Sequence, residues 1–471
     1  MNETMIENQT FDEIAVGDHA SLVRTLALRD IELFAAMSGD VNPAHMDPAF
    51  AADDQFHKVI AHGMWGGALI STVLGTQLPG PGTIYLGQNL RFRRPVALGD
   101  TITVTVTAKE KQADKGIVVF DCRCTDQNGM EVISGVAEVM APTTKVRRPR
   151  IELPEVSIQH HEHYRVLLAR CEGLPPVRTA VIHPCDATSL AAAVEAAEAG
   201  LIEPVLVGPE VKIRKAAERA GFDIARFQLI DTPHSHAAAA MGAAMASRGE
   251  VAALMKGALH TDELMSAVLA ADAKLRTERR VSHVYLMDVP AYPRPLLISD
   301  AAINIDPTLE EKADICQNAI DVAHVIGIAE PKVAILSAVE TVNPKLRSTI
   351  DAAALCKMAQ RGQITGGVLD GPLAFDNAIN LKAAADKGIV SAVAGIADIL
   401  IVPDIESGNM LAKQLTFMAG ADSAGIVVGA RVPIILTSRS DSTRTRIASC
   451  AIAVLIAAAK TSLAVAQIEA P

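Results

Sequence analysis

At 471 residues the chain is too long for one core of ordinary size, and domains of about 100–200 residues give an expectation of two to four. Half of the residues are hydrophobic but only 3% are aromatic, which excludes a disordered protein and points to cores of Ala, Val, Leu and Ile in helix-on-sheet layers. The formal charge of -11 is spread over interspersed acidic and basic residues, so no extended field exists for nucleic acid, while one or two placed cations still suffice for a small anion.

The opening stretch MNETMIENQTFDEI has neither a basic start nor an apolar core, so an unexported protein is expected. Further on, Gly39-Asp40-Val41-Asn42-Pro43-Ala44-His45-Met46-Asp47 is followed by Ala61-His62-Gly63 opening an apolar helix. Asp40 and His45 set a carboxylate and an imidazole five residues apart near a helix N-terminus, the equipment for moving a proton and a water across a polarised carbonyl. Taken alone, an Asp capping a turn beside an ordinary loop His is the more frequent meaning of that spacing. The helix is expected from roughly His62 to Gln77, ended by LPGPG. TITVTVT from Thr101 alternates strictly, and IVVFDCRCT and VISGVAEVM follow as further antiparallel strands. The pattern alone fits a hot-dog fold, one helix wrapped by a meander, and other α+β arrangements of the same order equally well.

PTTKVRRPRIELP, between Pro142 and Pro154, is charged, proline-rich and without apolar period, which marks a linker. His160, His161 and His163 come next; their spacing matches no closed zinc site, so a solvated helix start is expected ahead of a ligand cluster. From Val177 onward, short apolar runs (VRTAVIHP, PVLVG, VAALMKG, SHVYLMDV, KVAILSA, GGVLDG, ADILIVPD, VPIILTS) alternate with helices, as parallel strands buried on both faces require. A doubly wound α/β enzyme of two lobes with a cleft is expected. The apolar stretch Ile447–Ala466 carries Ser449, Lys460 and Thr461 and follows Arg446, which makes it a buried helix and not a membrane span. Seven cysteines without a Cys-x-x-Cys, the nearest pair being Cys122 and Cys124 on one strand face, fit a reducing cytoplasm.

SGDVNPAHMDPAFA, IAHGM and PGPGTIYLGQNLRFRRPVALGDTITV together resemble the MaoC-like (R)-specific enoyl-CoA hydratases over nearly all of residues 10–140. The resemblance implies that Asp40 and His45 form the catalytic pair, that the Gly63 amide binds the thioester oxygen, and that Ser71 supports the catalytic loop from deeper in the helix. Gly66 and Gly67 lie where related proteins often carry bulkier residues. Arg91, Arg93 and Arg94 are placed either to meet the CoA phosphates or simply to solvate a strand face.

MKGALHT, ISDAAINIDP, LDGPLAFDNAI, PDIESGNMLAKQL and AGIVVGARVPIILTSRSDS closely resemble the phosphate acetyl/butyryltransferase family over roughly residues 160–471, with the butyryltransferase branch expected to be nearer. Strand-end loops are where α/β enzymes place their sites. By that resemblance Arg439 binds phosphate or the oxyanion, Ser438 positions the acyl group, a nearby carboxylate takes the CoA thiol proton, and Lys256, Asp376, Ser407 and Asn409 contribute to substrate binding. The acetyltransferase branch carries its catalytic Asp seven residues after the Ser, where this chain has Thr445, so Asp441 is the carboxylate assigned the role. Ser407, Ser438 and Asp441 would each also serve as plain helix caps.

The expected architecture is thus an α+β hot-dog domain (1–145), a linker (146–158), and an α/β doubly wound domain like the isocitrate and isopropylmalate dehydrogenases (159–471). Its first lobe is set at about 159–310 plus 430–471 and its second at about 311–429. The function it implies is bifunctional, with CoA thioesters and phosphate as substrates, no permanently bound cofactor, no metal motif, direct acyl transfer without an acyl-enzyme, and assembly as a dimer or higher homo-oligomer. A hydratase with a non-catalytic C-terminal acyl-CoA sensor or oligomerisation module is the alternative.

Overall fold

The computed structural model describes residues 5–469 except 155, 157, 159–161 and 437–440, with side chains described as far as 461. It divides into two compact units, Met1–Ile158 and Gln159–Pro471.

The first unit contains β1 (Met5–Glu7), β2 (His19–Thr25), β3 (Ile84–Phe92), β4 (Thr101–Gln112), β5 (Ile117–Thr125), β6 (Glu131–Met140) and β7 (Arg147–Pro149). Among the described residues, five of these form an antiparallel sheet in the order β2-β4-β5-β6-β3. Its alternation is strict in β4, where Ile102, Val104, Val106 and Ala108 are buried and the threonines between them are not. That face packs on the helix Gly63–Thr76 through Trp65, Ile70, Val73 and Leu74, completing the hot-dog arrangement. The observed helix lies within one residue of the expected limits, with His62 as its N-cap. β1 and β7 pair antiparallel, Met5 opposite Pro149 and Glu7 opposite Arg147. The first residues expected to be linker therefore belong to this unit.

The second unit contains β8 (Val177–Ile182), β9 (Ile202–Gly208), β10 (Gln228–Asp231), β11 (Ala253–Lys256), β12 (Ser282–Asp288), β13 (Leu296–Ser299), β14 (Lys332–Leu336), β15 (Val368–Leu373), β16 (Ile399–Ile401), β17 (Asp422–Val428) and β18 (Ile434–Ile435). Among the described residues they form one sheet, β10-β9-β8-β11-β18-β17-β12-β13-β16-β14-β15. Its flanks are parallel as expected, but β12 runs antiparallel to both β17 and β13, and β17 antiparallel to β18. A central strand reads as an apolar run whichever way it points, so direction left no mark on the sequence. β12 and β13, assigned to the first lobe, sit between β17 and β16 on the side assigned to the second. One apolar core also spans both, joining Leu190 and Leu206 to Ile315, Val333 and Leu355. The helix Thr443–Glu469 buries Ile447, Cys450 and Ile452, and among the described residues no helix is long and apolar enough to cross a membrane.

Candidate functional site

In the first unit the helix Leu28–Ser38 ends at Gly39, whose φ of +76° turns the chain so that Asp40 leaves the helix axis. The Asp40 carboxylate accepts from the Asn42 amide (3.2 Å), and the Asn42 side chain in turn accepts from the Ala44 amide (3.1 Å), capping the short helix Pro43–Met46 that carries His45. His45 Nδ1 donates to the Ile60 carbonyl at 2.9 Å, which fixes the tautomer and leaves Nε2 with its lone pair. His62 is the site residue that sequence reading passed over. It is 2% exposed, its Nε2 donates to the Asp40 carbonyl (3.0 Å), and its ring lies 4.1 Å from that of His45 and 4.9 Å from that of Phe34. Its one signal in the sequence was its place directly before Gly63 at a helix start.

His45, His62, Gly63 and Gly66 line a cavity of about 300 Å³, with Phe92 and Ile133 opposite. Asp40 is exposed beside it. The Gly63 amide belongs to the first helical turn, where N–H groups lack intrahelical acceptors and the dipole favours negative charge. A Cβ there would press on the Phe92 ring at 3.3 Å, and one at Gly66 would come within 2.3 Å of Ile133 Cδ1, so both glycines keep the cavity open. Gly67 packs beside Met64 and Leu90. Arg93 and Arg94 stand at the rim, Arg93 held by Ser134 (3.1 Å) and Glu131 (3.5 Å), whereas Arg91 is exposed on β3 and does not line the cavity. Ser71 lies on the exposed side of its helix, and among the described residues no hydrogen bond ties it to the Asp40–His45 loop. Eight residues past Gly63, Ser71 is rotated by roughly 80° from it about the helix axis.

In the second unit Lys256 ends β11, one residue beyond the pair Met255–Ile435, and so stands beside Leu436 at the exit of β18. The following Gly257 is obligatory, since a Cβ would fall 2.4 Å from the Ile182 carbonyl oxygen. Ser438 and Arg439 lie outside the described residues. Asp441 follows, half-buried, its carbonyl accepting from Arg446 at 2.7 Å. Arg446 is buried against Glu195 at 2.8 and 3.1 Å. Burial and then the Asp441 charge push the Tyr285 phenol up, and that ring meets His283 edge-on at 4.3 Å. Thr445 is buried in the first turn of its helix; its amide donates to Ser442 Oγ and its hydroxyl oxygen accepts from that group, each at 3.1 Å.

Ser407 gives both its amide (2.8 Å) and its hydroxyl (2.5 Å) to Asp404, which caps the helix Ile405–Met418; the cap is Asp404, with Ser407 inside the first turn. Asn409 donates to the Ala301 carbonyl at 3.2 Å, and Gly408 seats the helix flush on the loop after β13, where a Cβ would meet the Asp300 carbonyl oxygen at 2.7 Å. Asp300 organises that loop, its carboxylate accepting from the amides of Ala302, Ile303 and Asn304, while burial pushes it up from the usual carboxylate range. Asp376 is exposed on the short helix Phe375–Ile379 after β15. Because β17 and β12 reverse the sheet, β11 and β18 run opposite to β15 and β16, so the candidate strand-end loops leave the sheet in two directions. The Asp441 charge is felt at Tyr285 on β12, and Asn409 reaches the loop that follows β13. His163 is not simply solvated, since Asp288 accepts its Nδ1 hydrogen at 2.8 Å and draws its pKa up; His160 and His161 lie outside the described residues.

Residues 15–126 match the family described as "MaoC like domain", and residues 234–454 match "Phosphate acetyl/butaryl transferase". The chain is 61% identical to the phosphate acetyltransferase of Rhizobium meliloti over 305 residues, covering 65% of this chain and 96% of that protein. It is 41% identical to the phosphate butyryltransferase of Clostridium acetobutylicum over 283 residues, 60% of this chain and 94% of that protein. The expected nearness to the butyryltransferase branch is therefore reversed. A branched-chain phosphotransacylase from Enterococcus faecalis superposes with a TM-score of 0.53 at 28% identity, covering 60% of this chain and 99% of that one. The chain belongs to the phosphate acetyl/butyryltransferase family through its second unit, and carries a MaoC-like hot-dog domain ahead of it.

Proposed function

We propose that the chain is bifunctional, its first unit adding water to trans-2-enoyl-CoA to give (R)-3-hydroxyacyl-CoA and its second exchanging an acyl group between CoA and phosphate. The hydratase reading is carried by the tautomer of His45, whose Nε2 lone pair is held at a cavity that Gly63 also lines. A water between His45 Nε2 and the Asp40 carboxylate gives its proton to the imidazole as its oxygen adds to C3 of the enoyl chain. The enolate oxygen so formed is stabilised by the Gly63 amide and the helix dipole until the proton taken from water is passed on to C2, which leaves His45 neutral again.

The transferase reading is carried by identity along 96% of an acetyltransferase, which makes acetyl the first acyl group to test. In it a phosphate oxygen attacks the thioester carbonyl and the CoA sulfur leaves with a proton; in reverse, Asp441 takes the thiol proton. Arg439 and Lys256 supply cations and Ser438 positions the acyl group. Burial pushes Cys185 up to about 11 and Cys356 to about 12, which supports direct transfer over a cysteine-bound intermediate. Thr445 favours a second reading, a lobe that senses acyl-CoA without turnover, because a buried first-turn threonine bonded to Ser442 stands where the resemblance puts a carboxylate in the acetyltransferases.

The test is made on the full chain. Wild type is expected to hydrate crotonyl-CoA and to release CoA from acetyl-CoA when phosphate is supplied. His45→Ala is expected to lose about 10²–10⁴-fold of the hydration and none of the CoA release. CoA binding without release would favour the sensor, and absence of both activities would overturn the proposal.

A further inference from the structure

The two histidines of the first site share a feature that proton transfer does not require. Each gives its outer N–H to a main-chain carbonyl, His45 Nδ1 to Ile60 (2.9 Å) and His62 Nε2 to Asp40 (3.0 Å). This is the outer-shell pattern that fixes tautomer and ring orientation in metal-ligating histidines. What remains is one lone pair on each ring, His45 Nε2 and His62 Nδ1. The second is buried and has no hydrogen-bond partner among the described residues, a costly condition for a polar atom on a side chain 2% exposed. The Asp40 carboxylate stands beside them, and one potential ligand atom from each of Asp40, His45 and His62 lies within 4.8 Å of the other two.

We propose that Asp40, His45 and His62 bind a zinc-class divalent cation reversibly and that the bound ion switches off the hydratase, an inference that rests on the hydratase reading for its second half only. Two imidazoles and one carboxylate suit zinc or cobalt, while magnesium and calcium prefer all-oxygen sites. Ligand atoms around tetrahedral zinc stand about 3.4 Å apart, given Zn–N near 2.0–2.1 Å. Asp40 is exposed, so its side chain has the freedom to close that gap without moving either ring. The ion takes the same His45 lone pair and Asp40 oxygen that activate water, so metal and hydration compete. His62 thereby acquires a reason that a base-and-carboxylate pair alone does not give it.

The experiment titrates Zn²⁺ into metal-free full-length protein against a chromophoric chelator, with Co²⁺ absorption as a geometry-sensitive second readout. The proteins are wild type, Asp40→Asn, His62→Gln and, as a control, His19→Ala on exposed β2. Wild type and His19→Ala are expected to hold one Zn²⁺ more tightly, by about 10–100-fold, than either site variant, and excess Mg²⁺ is expected not to displace it. Asp40→Asn changes an exposed side chain and so keeps the test valid if His62→Gln does not fold. Hydration of crotonyl-CoA is expected to fall with the same midpoint as zinc binding and to return with chelator, while phosphate-dependent CoA release is unaffected. Equal zinc affinity in wild type and Asp40→Asn overturns the site, and site-specific binding that leaves hydration unchanged overturns the switch. Failure of the hydratase reading shows separately, as zinc-free protein that never hydrates, because the binding comparison needs no turnover.

Discussion

His283 is enclosed completely on β12, and burial holds its pKa down to about 3. It is therefore neutral in the folded chain, whereas in the unfolded chain it takes a proton below about pH 6.5. Unfolding is then favoured by acid, and this residue removes up to about 1.4 kcal/mol of stability for each pH unit between 6.5 and 3. Urea unfolding of wild type and His283→Asn from pH 7 to 5 is expected to show a slope shallower by close to one proton in the variant. Parallel slopes would mean that His283 is solvated in the folded state. Asp40, His45 and Gly63 were legible as a group because their chemistry and spacing sit in one local stretch, GDVNPAHMD followed by HGM. His62 was not, since its role arises from a contact across the fold, to the Asp40 carbonyl.

Between the helices Leu309–Val325 and Arg347–Gln360, Lys312 meets Asp351 at 2.7 Å with 4% and 9% of their side chains exposed. Breaking a buried pair from one side leaves an uncompensated charge, a loss of about 3–5 kcal/mol. Asp351→Ala strands Lys312 and is expected to cost that much in denaturant unfolding. Lys312→Met is expected to cost less, because Arg347 remains 3.5 Å from Asp351. Equal losses would show that Arg347 contributes nothing. At this scale, legibility followed burial. β4 announced itself because every second residue enters the core, whereas β3, exposed along nearly its whole length, and the three-residue β1 and β7 carry no such period. The direction of β12 and β17 was invisible for a different reason, that both faces of each are covered whichever way it runs.

The two units have separate cores, and each is expected to unfold in its own transition. Gly135 tests this, because a Cβ there would lie 2.0 Å from the Asn89 carbonyl oxygen across the β6–β3 pairing. Gly135→Ala is expected to lower the first transition by several kcal/mol and abolish hydration, while the second transition and phosphate-dependent CoA release hold. Calorimetry showing both transitions displaced together would mean that the units are energetically coupled. The division into two folds was readable from the change of pattern at Val177, but the continuity of the second unit's sheet was not, because strand order depends on pairings far apart in sequence.

The clasp of β1 on β7 has a practical corollary. Paired strands stand about 4.8 Å apart, so the chain enters and leaves the hot-dog unit at almost the same point. A unit with adjoining ends is a cassette: it is expected to tolerate being spliced into a surface loop of another enzyme, or having its ends joined by a short bridge and new ones cut at the Ala113–Gly116 turn, without disturbing the strands that carry its pocket.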